Sequence, residues 1–152
     1  MAVPVSMDAQ IMQYQQNTNM AVFSKIEFIL YVSEQERSKA FFRALLQSDP
    51  VLDVIGMTEF ALMDNCKLGL MPNKGIARII GDLLPHPDNG TGIPRCELYL
   101  SVDDVSKAID RAMNCGAKMV SPVADRDQGD RVGYVADPDR HVIALAHRIL
   151  TP

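Results

Sequence analysis

The chain has 152 residues, a net charge of −4, 47% hydrophobic and 22% charged residues, the composition of one globular domain or of two small halves sharing a core. The acidic balance gives no electrostatic reason to expect nucleic acid or an anionic membrane as partner. No apolar run approaches the roughly 20 residues that span a bilayer.

No basic stretch followed by an apolar one opens the sequence, so a secretory leader is not expected. Cys66, Cys96 and Cys115 form no close pair, which points to a reducing compartment, a cytoplasm. Residues 1–20 are rich in Gln and Asn and carry little apolar periodicity. They read as an N-terminal extension, either flexible or a short helix that docks Ile11, Met12 and Tyr14 on a partner subunit. Residues 21–72 then make a first structural unit. Over 21–32, Ile26, Phe28, Leu30 and Val32 alternate with Lys25, Glu27, Ile29 and Tyr31, the period of a half-buried strand. Ser33 to Glu36 has capping-box spacing. The stripe Arg37, Ala40, Phe41, Ala44 and Leu45 predicts one buried helix face, which Asp49-Pro50 ends. Short strands are expected over 51–57, 58–63 and 66–71, with Asp64-Asn65 as a turn.

Residues 73–94 form a connector. Ile76, Ile79, Ile80, Leu83 and Leu84 predict one or two amphipathic turns, followed by an irregular Pro/Asn/Gly stretch. A connector of this length is either functional, as a lid or a subunit crossover, or a plain surface crossing. The second unit, 95–152, starts again with a strand: Cys96, Leu98, Leu100 and Val102 on the core side, and Arg95, Glu97, Tyr99 and Ser101 on the other. Asp103 is the expected N-cap of a helix whose buried stripe is Val105, Ala108, Ile109, Ala112 and Met113, closed by Gly116. Strands are expected over 117–123, 130–136 and 140–147, the last two joined by Asp137-Pro138-Asp139.

The two units are one motif repeated. Ser38-Lys39-Ala40-Phe41 matches Ser106-Lys107-Ala108-Ile109, Glu27 matches Glu97, and Leu68-Gly69-Leu70 matches Ile143-Ala144-Leu145. The fold class is α+β: two βαβββ modules whose curved mixed sheets surround a central concavity, with the helices outside.

This duplication, with the 32–42 strand-to-helix stretch, the Glu97–Asp104 strand ending in Ser-Val-Asp-Asp, and Asp137-Pro138-Asp139, resembles the vicinal oxygen chelate superfamily. That superfamily holds glyoxalase I, extradiol dioxygenases and the fosfomycin- and bleomycin-resistance proteins. Its last motif usually reads Asp-Pro-Asp-Gly, and here Arg140 stands in the glycine's place. The resemblance implies metal-ligand positions at Glu27, Gly69, Glu97 and Ala144, all on the polar faces of their strands. Two of these can ligate and two cannot. No cofactor is therefore expected; Glu27 and Glu97 with waters hold Mg²⁺ or Mn²⁺ only as a weak alternative.

Two residues before these positions, about 6.6 Å along each strand, stand Lys25, Lys67, Arg95 and Val142. The polar faces thus pair carboxylates with cations. Gly69, Ala144 and Ala146 leave room, while Ile29, Tyr31, Met71 and Tyr99 supply apolar wall. This is the make-up of a small-molecule pocket. It is equally that of ion pairs joining two halves, Glu27 with Lys67 or Glu97 with Lys25 or Arg95. Three functions follow. The first is a glyoxalase/bleomycin-resistance-like binding protein without a tight catalytic metal, its ligand held by Lys67, Gly69, Met71, Arg95, Tyr31, Tyr99 and Ala144. The second is an isomerase or lyase using Glu27 and Glu97 as acid and base. The third is a structural or interaction module. A homodimer is expected, because short mixed sheets leave edges to pair.

Overall fold

The structure, a computed structural model, describes residues 24–90, 92–127 and 129–149. The extension read over 1–20 lies outside them. The first module contains β1 (Ile26–Val32), α1 (Gln35–Leu46), β2 (Leu52–Val54), β3 (Met57–Met63) and β4 (Cys66–Pro72). The connector carries α2 (Asn73–Ile80) and two 3₁₀ turns, Gly81–Leu83 and Pro87–Gly90. The second module repeats the first as β5 (Glu97–Ser101), α3 (Val105–Asn114), β6 (Lys118–Asp125), β7 (Asp130–Ala136) and β8 (Val142–Arg148). Among the described residues no helix is long and apolar enough to cross a membrane.

Each module builds a four-stranded mixed sheet, in the orders β1-β4-β3-β2 and β5-β8-β7-β6. In each, the first strand runs parallel to the last and the remaining pairs are antiparallel. The crossover that a parallel pair requires is made by α1 and its hairpin in one module, and by α3 and its hairpin in the other. The two sheets are curved and open, and they share no strand pairing.

One hydrophobic core serves both modules. Val32, Phe41, Phe42, Leu45, Phe60, Leu68 and Leu70 from the first join Val105, Ala108, Ile109, Ala112, Val135, Ile143 and Leu145 from the second. Phe41 and Phe42 meet edge to face, 5.1 Å between ring centroids, a favoured aromatic geometry. α3 is tied to the last turn of α1 by Arg111 Nε, which donates to the Leu45 carbonyl at 3.3 Å. The expected alternation holds through β1, β4, β5 and β8. Leu30, Val32, Leu68, Leu70, Leu98, Leu100, Ile143 and Leu145 all face the helices.

Several local expectations are corrected. The α1 cap is Glu34, not Ser33: its carboxylate accepts the Glu36 and Arg37 amides, leaving the Ser33 hydroxyl for Asp139. The buried stripe of α1 is Ser38, Phe41, Phe42 and Leu45, while Arg37, Ala40 and Ala44 are exposed. Both stripes have the same spacing. Burial follows the larger apolar area of Phe42 and the partner found by Ser38, whose hydroxyl donates to Asp139 Oδ2 at 3.0 Å. The α3 cap is Asp104 rather than Asp103, accepting the Lys107 amide at 3.0 Å, and Met113 is exposed. The hairpin over 52–63 turns at Ile55-Gly56, where Gly56 has φ +89°, a conformation that costs glycine little. Gln35 braces this turn by accepting the Gly56 amide and donating to the Val54 carbonyl.

Candidate functional site

The faces of the two sheets turned away from the helices carry most of the residues singled out in the sequence. On the first sheet this face carries Glu27, Ile29 and Tyr31 from β1, with Lys67, Gly69 and Met71 beside them on β4 in the register Glu27–Lys67, Ile29–Gly69 and Tyr31–Met71. Glu59 of β3 lies opposite Gly69. Lys67 Nζ donates to Glu59 Oε2, and that bond, with the nearby charge, holds the ammonium protonated above its ordinary range. The expected Glu27–Lys67 ion pair is therefore replaced by Lys67–Glu59. The volume Gly69 gives up is not open either. A methyl group built there would sit 2.7 Å from Glu27 Oε1 and 3.1 Å from Ile29 Cγ1, so the Glu27 carboxylate lies across the glycine.

On the second sheet the same face carries Glu97 and Tyr99 from β5, and Ala144 and Ala146 from β8. Tyr99 pairs with Ala144, which faces Tyr134 on its other side. Val132, Ala144 and Ala146 are buried and Tyr134 packs on them, so the two alanines form a floor, not the empty space expected of them. The Tyr99 hydroxyl donates to Asp130 Oδ2 at 2.7 Å, and Arg148 Nη1 donates to Asp130 Oδ1 at 3.1 Å. The bond to Asp130 and partial burial push the phenol up to about 12, which makes Tyr99 a fixed donor and a poor acid near neutrality. The Arg126 guanidinium sits 5.4 Å over the Tyr134 ring and donates to Ser121 Oγ at 3.2 Å. Arg131 forks onto Asp125 at 2.7 and 3.2 Å, bracing its hairpin.

Where the modules meet, a pocket of about 460 Å³ opens under the connector. Ile29 and Tyr31 line it from β1, Arg95 and Cys96 from the approach to β5, Arg140 from the β7–β8 turn, Val142 from the start of β8, and Leu84 and Ile93 from the connector. Cys96 is exposed there, not on the core side as its alternation predicts, because β5 begins only at Glu97. Asn73, buried at the start of α2, donates to Asp88 Oδ1 at 2.7 Å and so ties the connector back on itself.

One wall of the pocket is the β7–β8 turn. Asp137 is buried; it accepts the Asp139 and His141 amides on Oδ1 at 3.0 and 2.7 Å, and its Oδ2 lies 2.8 Å from His141 Nδ1. Burial disfavours the imidazolium of His141, but the Asp137 bond and charge outweigh it and the net effect raises its pKa. Asp139 reaches across to the first module. It accepts the Ser33 amide and hydroxyl, the Ser38 hydroxyl and Arg37 Nη2. Burial opposes its charge, and these donors override burial and hold the carboxyl below its ordinary range.

Of the residues singled out in the sequence, Glu27, Lys67, Gly69, Met71 and Tyr31 thus share one sheet, Glu97, Tyr99 and Ala144 share the other, and Tyr31 and Arg95 meet in the seam pocket. Glu59, Arg126 and Asp130 were not anticipated. The alternation of the strands expected over 58–63 and 130–136 already puts Glu59 and Asp130 on the polar faces, whereas Arg126 lies beyond β6 and carries no periodic signal. A four-donor metal site does not fit one chain. Gly69 and Ala144 offer no ligand atom, and among the described residues no three His, Cys, Asp or Glu side chains cluster for a metal. His141 precedes β8, and His147 falls on the alternation of Ile143 and Leu145, which face the helices, so neither stands at one of the missing ligand positions.

Paired βαβββ modules with an open concavity define a family of folds, and comparison with known proteins agrees. Residues 24–145 match the model of the Glyoxalase/Bleomycin resistance protein/Dioxygenase superfamily, and the chain belongs to that superfamily. Its fold is similar to a glyoxalase-related enzyme from Fulvimarina pelagi (TM-score 0.70, 19% identity, 83% of this chain and 89% of that one). It is also similar to a glyoxalase/bleomycin resistance protein/dioxygenase from Nocardioides (TM-score 0.69, 15% identity, 94% and 95%). An uncharacterized protein of Mycobacterium bovis is 36% identical over 80 residues, 53% of this chain and 52% of that protein. The chain spans about half the length of the curated relatives it matches.

Proposed function

We propose that the protein binds a small organic molecule in the seam pocket, through an anionic group on Arg95 and an apolar body against Ile29, Tyr31, Leu84 and Ile93, without a tight catalytic metal. The observation that carries this reading is the pairing of an apolar pocket of about 460 Å³ with a guanidinium that has no carboxylate partner among the described residues. Lys67, the other cation of interest, is already neutralised by Glu59. Binding without turnover is the form this takes, because the donor set does not supply a metal site and the Tyr99 phenol is held by Asp130. A homodimer in a reducing cytoplasm completes the proposal. Strands β1 and β5 are edges of their sheets, Ile26 and Phe28 of β1 are more than half exposed, and all three cysteines are free.

The test is a thermal-shift and calorimetric titration with benzoate, in a chelator and then with Mn²⁺, Ni²⁺ or Zn²⁺. Stabilisation by benzoate in the presence of chelator is expected. Arg95→Gln should weaken binding by roughly tenfold or more, the loss of one charge-assisted contact. Equal binding by wild type and Arg95→Gln, or binding only after a metal is added, contradicts the reading.

A further inference from the structure

We propose that Arg140 is a second anion contact in the seam pocket, so that the preferred ligand is a small dianion, a phosphate monoester or a dicarboxylate, attached to an apolar body. The inference rests on the function proposed above and adds the ligand's charge. Three observations support it. Arg140 has φ +71°, the left-handed region in which a side chain is disfavoured and glycine is at ease. The only other non-glycine at positive φ among the described residues is Gln47, which closes α1; Arg140 closes the β7–β8 turn, its amide donating to the Asp137 carbonyl at 2.9 Å, a place that glycine would fill without strain. A side chain retained at a strained position beside a cavity is a pointer to function. Second, the Arg140 side chain lies flat along the backbone of Gly92. Gly92 has φ +82° of its own, and a methyl group built on it would sit 2.8 Å from Nη1 and 2.9 Å from Cδ, so the arginine runs close beside the connector at the pocket wall. Third, Arg140 and Arg95 both line this pocket, and neither has a carboxylate partner among the described residues. The carboxylate that also lines it, Asp139, is occupied by Ser33, Ser38 and Arg37. Two unneutralised guanidiniums facing one small apolar cavity suit two negative charges on one ligand.

The experiment compares three aromatic probes of similar size by calorimetry on wild type, Arg140→Gly, Arg140→Lys and Arg95→Gln. The probes are benzoate, phenyl phosphate and isophthalate. Wild type should bind at least one dianion about tenfold or more tightly than benzoate. Arg140→Gly should cost the dianion about tenfold or more in affinity beyond what it costs benzoate, erasing that preference, and Arg140→Lys should keep part of it. Glycine suits φ +71°, so Arg140→Gly is expected to fold, and its thermal unfolding provides the control. The two dianions distinguish a phosphate site from a dicarboxylate site. Equal affinity of wild type for benzoate and both dianions, or a preference that survives in Arg140→Gly, overturns the inference while leaving the Arg95 pocket standing. Failure of all three probes, or benzoate binding insensitive to Arg95→Gln, removes the proposed function and this inference with it.

Discussion

Phe42→Ala is expected to destabilise the protein by about 4 kcal/mol, lowering the thermal midpoint by roughly 10 °C for a chain of this size. The ring is fully buried and meets Phe41 edge to face. It also belongs to the core shared by both modules, so the cavity left behind cannot close by a shift of one module alone. Ala44→Gln on the exposed side of α1 should change stability by no more than about 0.5 kcal/mol. Denaturant unfolding of the two variants checks the assignment of the buried stripe. A large loss at Ala44 with a small one at Phe42 would reverse it.

Asp139→Ala is the second large effect, about 3 kcal/mol at neutral pH. Its carboxylate joins the second module to the start of α1 through four donors, and removing it strands the fully buried Ser38 hydroxyl. Asp139→Asn keeps an acceptor and should recover part of the loss. The pH dependence has a definite sign. The folded pKa lies below the ordinary value of 3.8, so the unfolded chain takes up the proton first. The contribution is complete above that value and is lost as pH falls through the folded pKa. Urea unfolding between neutrality and acid pH should show stability falling on the acid side, with a shallower fall in Asp139→Ala. An equal slope in both proteins would assign the acid sensitivity elsewhere.

The architecture was legible in the sequence because alternation and repetition are one-dimensional signals. Glu27 with Glu97, and Leu68-Gly69-Leu70 with Ile143-Ala144-Leu145, mark equivalent strands before any pairing is known. The polar contacts were not legible, because they depend on register. Lys67 meets Glu59 and not Glu27, since β3 sets Glu59 opposite Gly69, and Tyr99 reaches Asp130 across β8. A glycine or alanine in a strand also does not by itself leave space: Glu27 lies over Gly69, and Ala144 is buried beneath its neighbours. Arg140 was visible as an arginine in a glycine's place, but its relation to Gly92 and Arg95 exists only after the connector folds over the seam.

The most direct measurement is amide chemical-shift mapping of benzoate binding to the isotopically labelled protein in the presence of chelator. The account predicts saturable shifts centred on Ile29, Tyr31, Ile93, Arg95 and Val142, and their loss in Arg95→Gln. Shifts centred instead on Tyr99, Tyr134 and Arg126, or none until a divalent metal is added, would contradict it.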